Sequence, residues 1–189
     1  LKRNDAYLKA ITLATKENKY ILEIGTGSGL LSMMAVDAGA EKVVTCEASD
    51  QIAKGAKKII SKNGFSEKIT VINKRSTDLE LGKDLEKKVD LVISEILSSE
   101  FVGEGVQVTL SDANKRLLKE NGRMIPEAGE IKVALLEVSK EIEQELFVNK
   151  VNGYDLSEFN NIMGKKFNLQ YLGRNSKNSL LSEEIATFK

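Results

Sequence analysis

The 189-residue chain holds 28 basic and 28 acidic residues and 41% hydrophobic residues, with one cysteine and no histidine or tryptophan. That length allows one sizeable core plus a short appendage. The charge balance withholds the net basicity that drives non-specific nucleic-acid binding, which disfavours nucleic acid as a partner, and no apolar run nears the roughly 20 residues of a membrane helix.

In chain order, Tyr20–Ile24 is the first predicted strand, followed by Gly25-Thr26-Gly27-Ser28-Gly29 and a helix opened by Leu30, Leu31 and Met34. Further strands are expected at Lys42–Cys46, Ile69–Ile72, Leu91–Ser94 and Glu130–Val138. Gln51–Lys62 places Ile52, Ala56, Ile59 and Ile60 on one helix face and stops at Asn63-Gly64. Leu110, Ala113, Leu117 and Leu118 repeat that spacing before Asn121-Gly122, predicting another helix. Such alternation predicts an α/β, Rossmann-like fold with a mostly parallel sheet. Pro126, the only proline, marks a turn. After Val138 the rhythm changes to a charged run, then to Asn, Gly and Ser with β-like pieces at Phe167–Leu172 and Ile185–Phe188. Residues 1–138 are therefore read as the α/β domain and 139–189 as a β-rich appendage.

Cys46 alone, without histidine, supports neither a disulfide framework nor a Cys/His metal site within one chain, which predicts a reducing, cytoplasmic setting. Leu1 stands where a reading frame would open on methionine and no leader pattern follows, so the chain is expected to begin inside a longer frame.

Glycines at 25, 27 and 29 let a turn approach a ligand closely, and the helix behind it offers unpaired N–H groups. The spacing is G-x-G-x-G, with Leu30 where a dinucleotide fingerprint would continue, which favours S-adenosylmethionine over NAD. Glu47 closes the second strand about 20 residues on, where a carboxylate can accept both ribose hydroxyls. A plain tight turn beside a solvated glutamate is the blander alternative. Ser76 and Thr77, just past the third strand, fall at the same sheet edge near the adenine, although such a pair serves equally in a turn that satisfies its own backbone.

The fourth strand runs into Ser94-Glu95-Ile96-Leu97-Ser98-Ser99-Glu100-Phe101-Val102-Gly103-Glu104-Gly105. Glu95 and Glu104 lie nine residues apart, the second flanked by glycines, as in a loop that folds back. Two converging carboxylates suit a guanidinium, whose planar fork of donors pairs from two sides. Glu100 is read as a solvated charge. The Asn/Asp-Pro-Pro-aromatic tetrad usual in adenine or cytosine N-methylation is absent here, which argues against a base as acceptor.

ILEIGTGSGLLSMMAVDAGA, KNGFSEKITVINKRST and SEILSSEFVGEG together resemble the protein arginine methyltransferases, most of all the monomethylarginine-forming type seven group, over about residues 3–138. The resemblance implies a class I S-adenosylmethionine-dependent enzyme in which Glu95 and Glu104 clamp the arginine of a protein or peptide. It implies a cofactor site of Glu23, Gly25, Thr26, Gly27, Gly29 and Leu30, with Glu47, Ala48, Ser76, Thr77 and Glu95. Arg3, otherwise an exposed terminal charge, corresponds to the family arginine that pairs with the cofactor carboxylate. Residues 139–165 would match a dimerisation arm, making a homodimer an expected assembly, and the rest the opening of a β-barrel. The family's threonine-histidine-tryptophan loop has no counterpart, and the resemblance implies that most of the barrel and the N-terminal helices over the cofactor would be missing. The chain is then expected to be a fragment or a shortened relative. Competing readings are methylation of lysine, a small amine or RNA, and a cofactor-binding module without turnover.

Overall fold

The computed structural model describes residues 2–97, 103, 105–137, 148–162 and 179–188. The chain divides into two compact units, 1–129 and 130–189, so the stretch 130–138 belongs with the second unit rather than the first.

The first unit opens with helix α1, Lys2–Ala14, where no element was expected. Its mixed composition hides a narrow apolar stripe that buries Ile11 and Ala14. Then follow β1 (Tyr20–Ile24), α2 (Leu30–Asp37), β2 (Lys42–Cys46), α3 (Asp50–Lys62), β3 (Ile69–Ile72), a 3₁₀ turn at Ser76–Asp78, β4 (Val89–Ser94), α4 (Val106–Asp112), a π-helical turn at Ala113–Leu117, and β5 (Leu118–Ile125). The strands form one parallel sheet in the order β3-β2-β1-β4-β5.

Strand alternation splits the core into two layers. Ile21, Val43, Leu91 and Ile93 face one way and pack with Ile11 of α1, Ala35 of α2, and Ala56 and Ile60 of α3. Leu22, Ile24, Val44, Cys46 and Val92 face the other way, against Leu79, Leu85, Ala113 and Leu117. Burial on both faces is why these strands read as continuous apolar runs. Asn63 caps α3, and Gly64 (φ +81°) supplies the left-handed residue that the predicted stop requires.

The helix predicted over Leu110–Leu118 ends earlier than its spacing implied. Ala113 and Leu117 are buried as a helical face, but Leu118 begins β5, which runs straight through Asn121-Gly122. Against β4 the register jumps from Leu118↔Val89 to Arg123↔Leu91, so Lys119, Glu120 and Asn121 bulge into solvent. The turn residues mark that bulge, not a helix cap.

The second unit contains β6 (Ile131–Val133), β7 (Leu136–Glu137), β8 (Lys150–Val151), β9 (Tyr154–Asp155), α5 (Glu158–Ile162), β10 (Ser179–Leu180) and β11 (Ile185–Phe188). The single strand expected at Glu130–Val138 is thus two, β6 pairing with β11 and β7 with β10, both antiparallel. Asn152 (φ 50°) and Gly153 (φ 87°) turn the β8–β9 hairpin, as an Asn-Gly pair favours. Asn160 closes this piece by accepting from Val148 N (3.0 Å) and donating to Val148 O (2.7 Å). The predicted piece Phe167–Leu172 lies outside the described residues, as does much of 139–165.

At the N-terminal edge of the sheet Asp90 accepts from the backbone N–H groups of Lys19 (3.1 Å) and Tyr20 (2.9 Å) and from the Lys119 ammonium. It thereby ties the starts of β1, β4 and β5. Burial pushes its carboxyl upward, but these donors outweigh burial and hold it below its ordinary 3.8. A depressed folded-state value means stability that is present above the unfolded value and is lost as pH falls through the folded one. Asp90→Asn should therefore lower stability by about 1–2 kcal/mol at pH 7, with the gap to wild type closing in acid, as read by urea denaturation across pH.

Candidate active site

Because β1 is flanked by β2 on one side and β4 on the other, successive connections leave it in opposite directions and open a crevice at the C-terminal ends of these strands. The loops after β1, β2, β3 and β4 all arrive at that edge. They carry Gly25, Thr26, Gly27, Gly29, Glu47, Ala48, Ser76, Thr77 and Glu95, while Glu23 stands within β1, Leu30 opens α2 and Arg3 comes from α1.

The glycine turn is built as its sequence suggests. Gly25 (φ +84°), Gly27 (+51°) and Gly29 (+82°) all adopt left-handed backbone, and a methyl on Gly25 would lie 2.7 Å from Ile96 Cγ2. The N–H groups of Gly25 and Thr26 both donate to Cys46 O (3.0 and 3.1 Å), folding the turn back over β2. The Thr26 hydroxyl meets that of Thr45 at 2.7 Å in the interior, so this side chain braces the turn from beneath.

Glu23 is buried on the α2 side of β1, where Ser32 Oγ donates to it. Burial raises its carboxyl to about 7, against the opposing hydrogen bonds from Ser32 and Thr45, with the nearby Glu47 charge adding to the rise. The thiol of Cys46 is likewise pushed up by burial, to about 12, and stays protonated.

Glu47 reaches back to the glycine turn, accepting from Gly27 N (3.3 Å) and Ser49 N (3.0 Å). Asn73 donates to the carbonyls of Glu47 (2.8 Å) and Ala48 (3.2 Å) and so fixes the backbone on which that carboxylate stands. Ser76 is buried at the head of its 3₁₀ turn, whereas Thr77 is exposed.

Glu95 leaves the end of β4. Above it, the Tyr7 hydroxyl of α1 donates to Ser94 O (2.8 Å), seating the first turns of the helix over the strand end. Burial and then the Glu95 charge raise the Tyr7 phenol, which keeps it a donor. Arg3 Nη1 donates to Glu95 Oε1 at 3.0 Å. Its observed partner is thus the carboxylate predicted to hold a guanidinium. Glu104 and Glu100 lie outside the described residues.

Arg3, Glu23, Gly25, Thr26, Gly27, Leu30 and Glu95 line one cavity of about 220 Å³ together with Asn4, Tyr7, Ser28 and Leu31. Gly29, Glu47, Ala48, Ser76 and Thr77 lie outside that lining, although Glu47 touches Gly27. A larger cavity of about 460 Å³ on the other flank of Tyr7 is lined mainly by Ala6, Ala10, Leu13 and Pro126. Its walls are the more apolar, but the convergent carboxylates are in the smaller one. Among the described residues there is no group of three or more His, Cys, Asp or Glu side chains placed to hold a metal ion, and no helix is long and apolar enough to cross a membrane.

Sequence reasoning missed Tyr7, Asn73 and Arg116. Tyr7 and Asn73 act through contacts across 87 and 26 residues, which leave no local mark. Arg116 did leave one, since Asp112 precedes it at i, i+4 and pairs with it at 2.7 Å.

Residues 5–166 match the family model described as ribosomal protein L11 methyltransferase (PrmA). The chain is 40% identical over 130 residues to protein arginine N-methyltransferase 7 of Drosophila ananassae, covering 66% of this chain and 19% of that protein. It is 38% identical over 160 residues to an arginine N(omega)-methyltransferase of Streptomyces achromogenes subsp. streptozoticus, covering 85% of this chain and 44% of that protein. The chain therefore spans less than half the length of either relative. In structure it is similar to the Trypanosoma brucei PRMT1 enzyme-prozyme heterotetrameric complex with AdoHcy, with a TM-score of 0.74, 30% identity, and coverage of 85% of this chain and 50% of that one.

A carboxyl that titrates near 4.5 unfolded and at about 7 folded retains in the folded state a proton that the unfolded state has lost. Stability contributed by Glu23 therefore declines as pH rises from about 4.5 and levels off above about 7. Glu23→Gln should match wild type near pH 4 and exceed it above pH 7, by up to about 3 kcal/mol. Denaturation curves at both ends of that range check it, and a pH-independent difference would contradict the assignment.

Proposed function

This chain belongs to the methyltransferase family described by the ribosomal protein L11 methyltransferase (PrmA) model and is broadly arginine-methyltransferase-like, and on that footing we propose that it methylates a guanidinium nitrogen of arginine in proteins, using S-adenosylmethionine. The observation that carries the reading is the Arg3 guanidinium on Glu95, 3.0 Å away, in a cavity shared with the glycine turn. A carboxylate at this strand end already accepts the chemical group that the substrate would present.

The residues fit the cofactor by the chemistry of their donors and acceptors. A cradle with no room for a Cβ at Gly25 admits close backbone approach, Glu47 offers acceptor oxygens beside that cradle, and Glu23 offers a buried carboxyl lining the same cavity. Glu23 is suited to an ammonium, whose charge would draw its proton off. Glu47 is suited to the ribose hydroxyls, with Ala48 beside it, and Ser76 and Thr77 to the adenine. Gly27, Gly29 and the Leu30 end of α2 would face the cofactor, with Thr26 bracing them and Arg3 meeting its carboxylate. When bound, the cofactor supplies an electrophilic methyl group.

Glu95, with Glu104 as the second arm, would hold the guanidinium by charge-assisted hydrogen bonds. Those bonds draw positive charge onto the nitrogens they engage and leave the lone pair of the remaining nitrogen freer to react. Fixed orientation supplies the larger share of the rate, on the order of 7–11 kcal/mol for well-aligned groups. Arg3 must leave Glu95 before a substrate guanidinium can take its place.

The insect relative, a protein arginine N-methyltransferase 7, supports a place in the type seven group, which the resemblance describes as monomethylarginine-forming. A specific observation also favours a second acceptor: the Streptomyces relative, which aligns over 85% of this chain, is named for arginine rather than protein arginine. Residues 139–165 are proposed as an arm that pairs two copies, and the lone buried Cys46 fits a reducing, cytoplasmic compartment.

Labelled methyl transfer to arginine-rich peptide, free arginine, lysine peptide, small amines and RNA separates the acceptors, and mass spectrometry of the product reads monomethylation. Glu95→Gln and Glu104→Gln should each lower kcat by about 100-fold or more, with Glu104→Gln retaining cofactor binding by calorimetry. Unchanged turnover in both variants would sink the guanidinium clamp, and cofactor binding without transfer to any acceptor would favour a module without turnover.

A further inference from the structure

One cation is held against the loop that follows β3. Arg116, on the π-helical turn, donates from Nε to Asp112 Oδ1 (2.7 Å) and from Nη2 to Asp112 Oδ2 (2.8 Å), so its plane is fixed by a carboxylate on the preceding helical turn. The far edge of the fork is aimed at backbone carbonyls: Nη1 donates to Leu79 O (2.8 Å), and Nη2 donates to Thr77 O (3.1 Å) and Ser76 O (3.3 Å). Three carbonyls of one short loop thus converge on one guanidinium.

That loop is seated by buried Leu79 and Ser76 but makes few backbone bonds of its own. Its 3₁₀ turn spans only Ser76–Asp78, and its own backbone bonds are Asp78 N to Arg75 O (3.0 Å) and Leu79 N to Ser76 O (3.2 Å). Arg116 adds three hydrogen bonds from outside, those to Thr77 O and Ser76 O sharing Nη2, and it is anchored in the segment that follows the acidic loop. The residue is chemically specific, because an ammonium has no planar fork with which to grip a carboxylate bidentately and reach three carbonyls together.

We propose that Arg116 is a positioning residue for the adenine end of the cofactor, setting where Ser76 and Thr77 stand through the carbonyls of residues 76, 77 and 79. The inference rests on the cofactor reading given above. If Arg116 only stabilised the fold, its loss would weaken every ligand alike. A positioning role instead makes the loss selective for the purine.

The test titrates wild type, Arg116→Met and Arg116→Lys with S-adenosylhomocysteine and with its hypoxanthine analogue, S-inosylhomocysteine, after circular dichroism has confirmed folding. Wild type should prefer the adenine ligand. Arg116→Met should lose on the order of tenfold in affinity for it, the equivalent of about one hydrogen bond, while binding of the inosine ligand changes little. Arg116→Lys should fall between the two. At saturating cofactor kcat should stay near wild type, with the change confined to the cofactor KM. Wild type that binds S-adenosylhomocysteine, alongside folded variants with unchanged affinity and unchanged preference, overturns the positioning role alone. Variants weakened equally toward both ligands also overturn it, in favour of a structural clamp. Wild type that fails to bind S-adenosylhomocysteine overturns the cofactor reading and the inference together.

Discussion

Everything at the candidate site depends on the reversal of strand order at β1. A parallel strand buried on both faces can feed a crossover to either side, and here the first crossover leads to β2 while a later one leads to β4. The loops that leave β1 and β4 must then part, and the gap between them is where backbone N–H groups and carboxylates gather. The pleat completes the arrangement: with Ile21 turned toward the helices of one layer, Glu23 must point to the same side, under Ser32. The buried carboxyl is thus a consequence of register and follows from the apolar residues around it.

The chemistry of the crevice is a matter of carboxylates placed at graded depth. Glu23 is buried and shares hydrogen bonds with hydroxyls, Glu47 is half-buried on two backbone N–H groups, and Glu95 is half-buried against a guanidinium. Depth decides what each can do. The deepest, raised to about 7 by burial, keeps its proton more readily than an exposed carboxyl until a cation approaches, whereas the outer two are placed to accept from donors that arrive from solvent. A single run of acidic residues on a surface could not offer that range.

Much of this was legible in the chain because it is local. The strands at Tyr20–Ile24, Lys42–Cys46 and Ile69–Ile72 have the bounds that their β-branched runs imply, and α3 stops at Asn63-Gly64. The glycine spacing and the carboxylate after β2 likewise announced a turn facing an acceptor. What was not legible depends on distant partners. Leu118 carries helical spacing with Ala113 and Leu117, yet β4 recruits it as a strand residue, because pairing beside a buried strand outweighs a weak local preference. Helix α1 is polar over most of its surface and declares itself only through Ile11, Ala14 and Tyr7. The resemblance implies a cofactor carboxylate as the partner of Arg3, but the side chain it meets comes from 92 residues away.

The contact between Gly25 and Ile96 has a consequence for variation. With only 2.7 Å between Ile96 Cγ2 and the place where a methyl on residue 25 would sit, residue 25 cannot grow while Ile96 stays as it is. Ile96 is covalently next to Glu95, so anything that displaces the glycine turn presses on the backbone that carries the acidic side chain. Drift in a lineage is thereby channelled: a larger residue at 25 meets both a steric and a backbone penalty, while trimming Ile96 relieves only the first. The two loops are sterically one part.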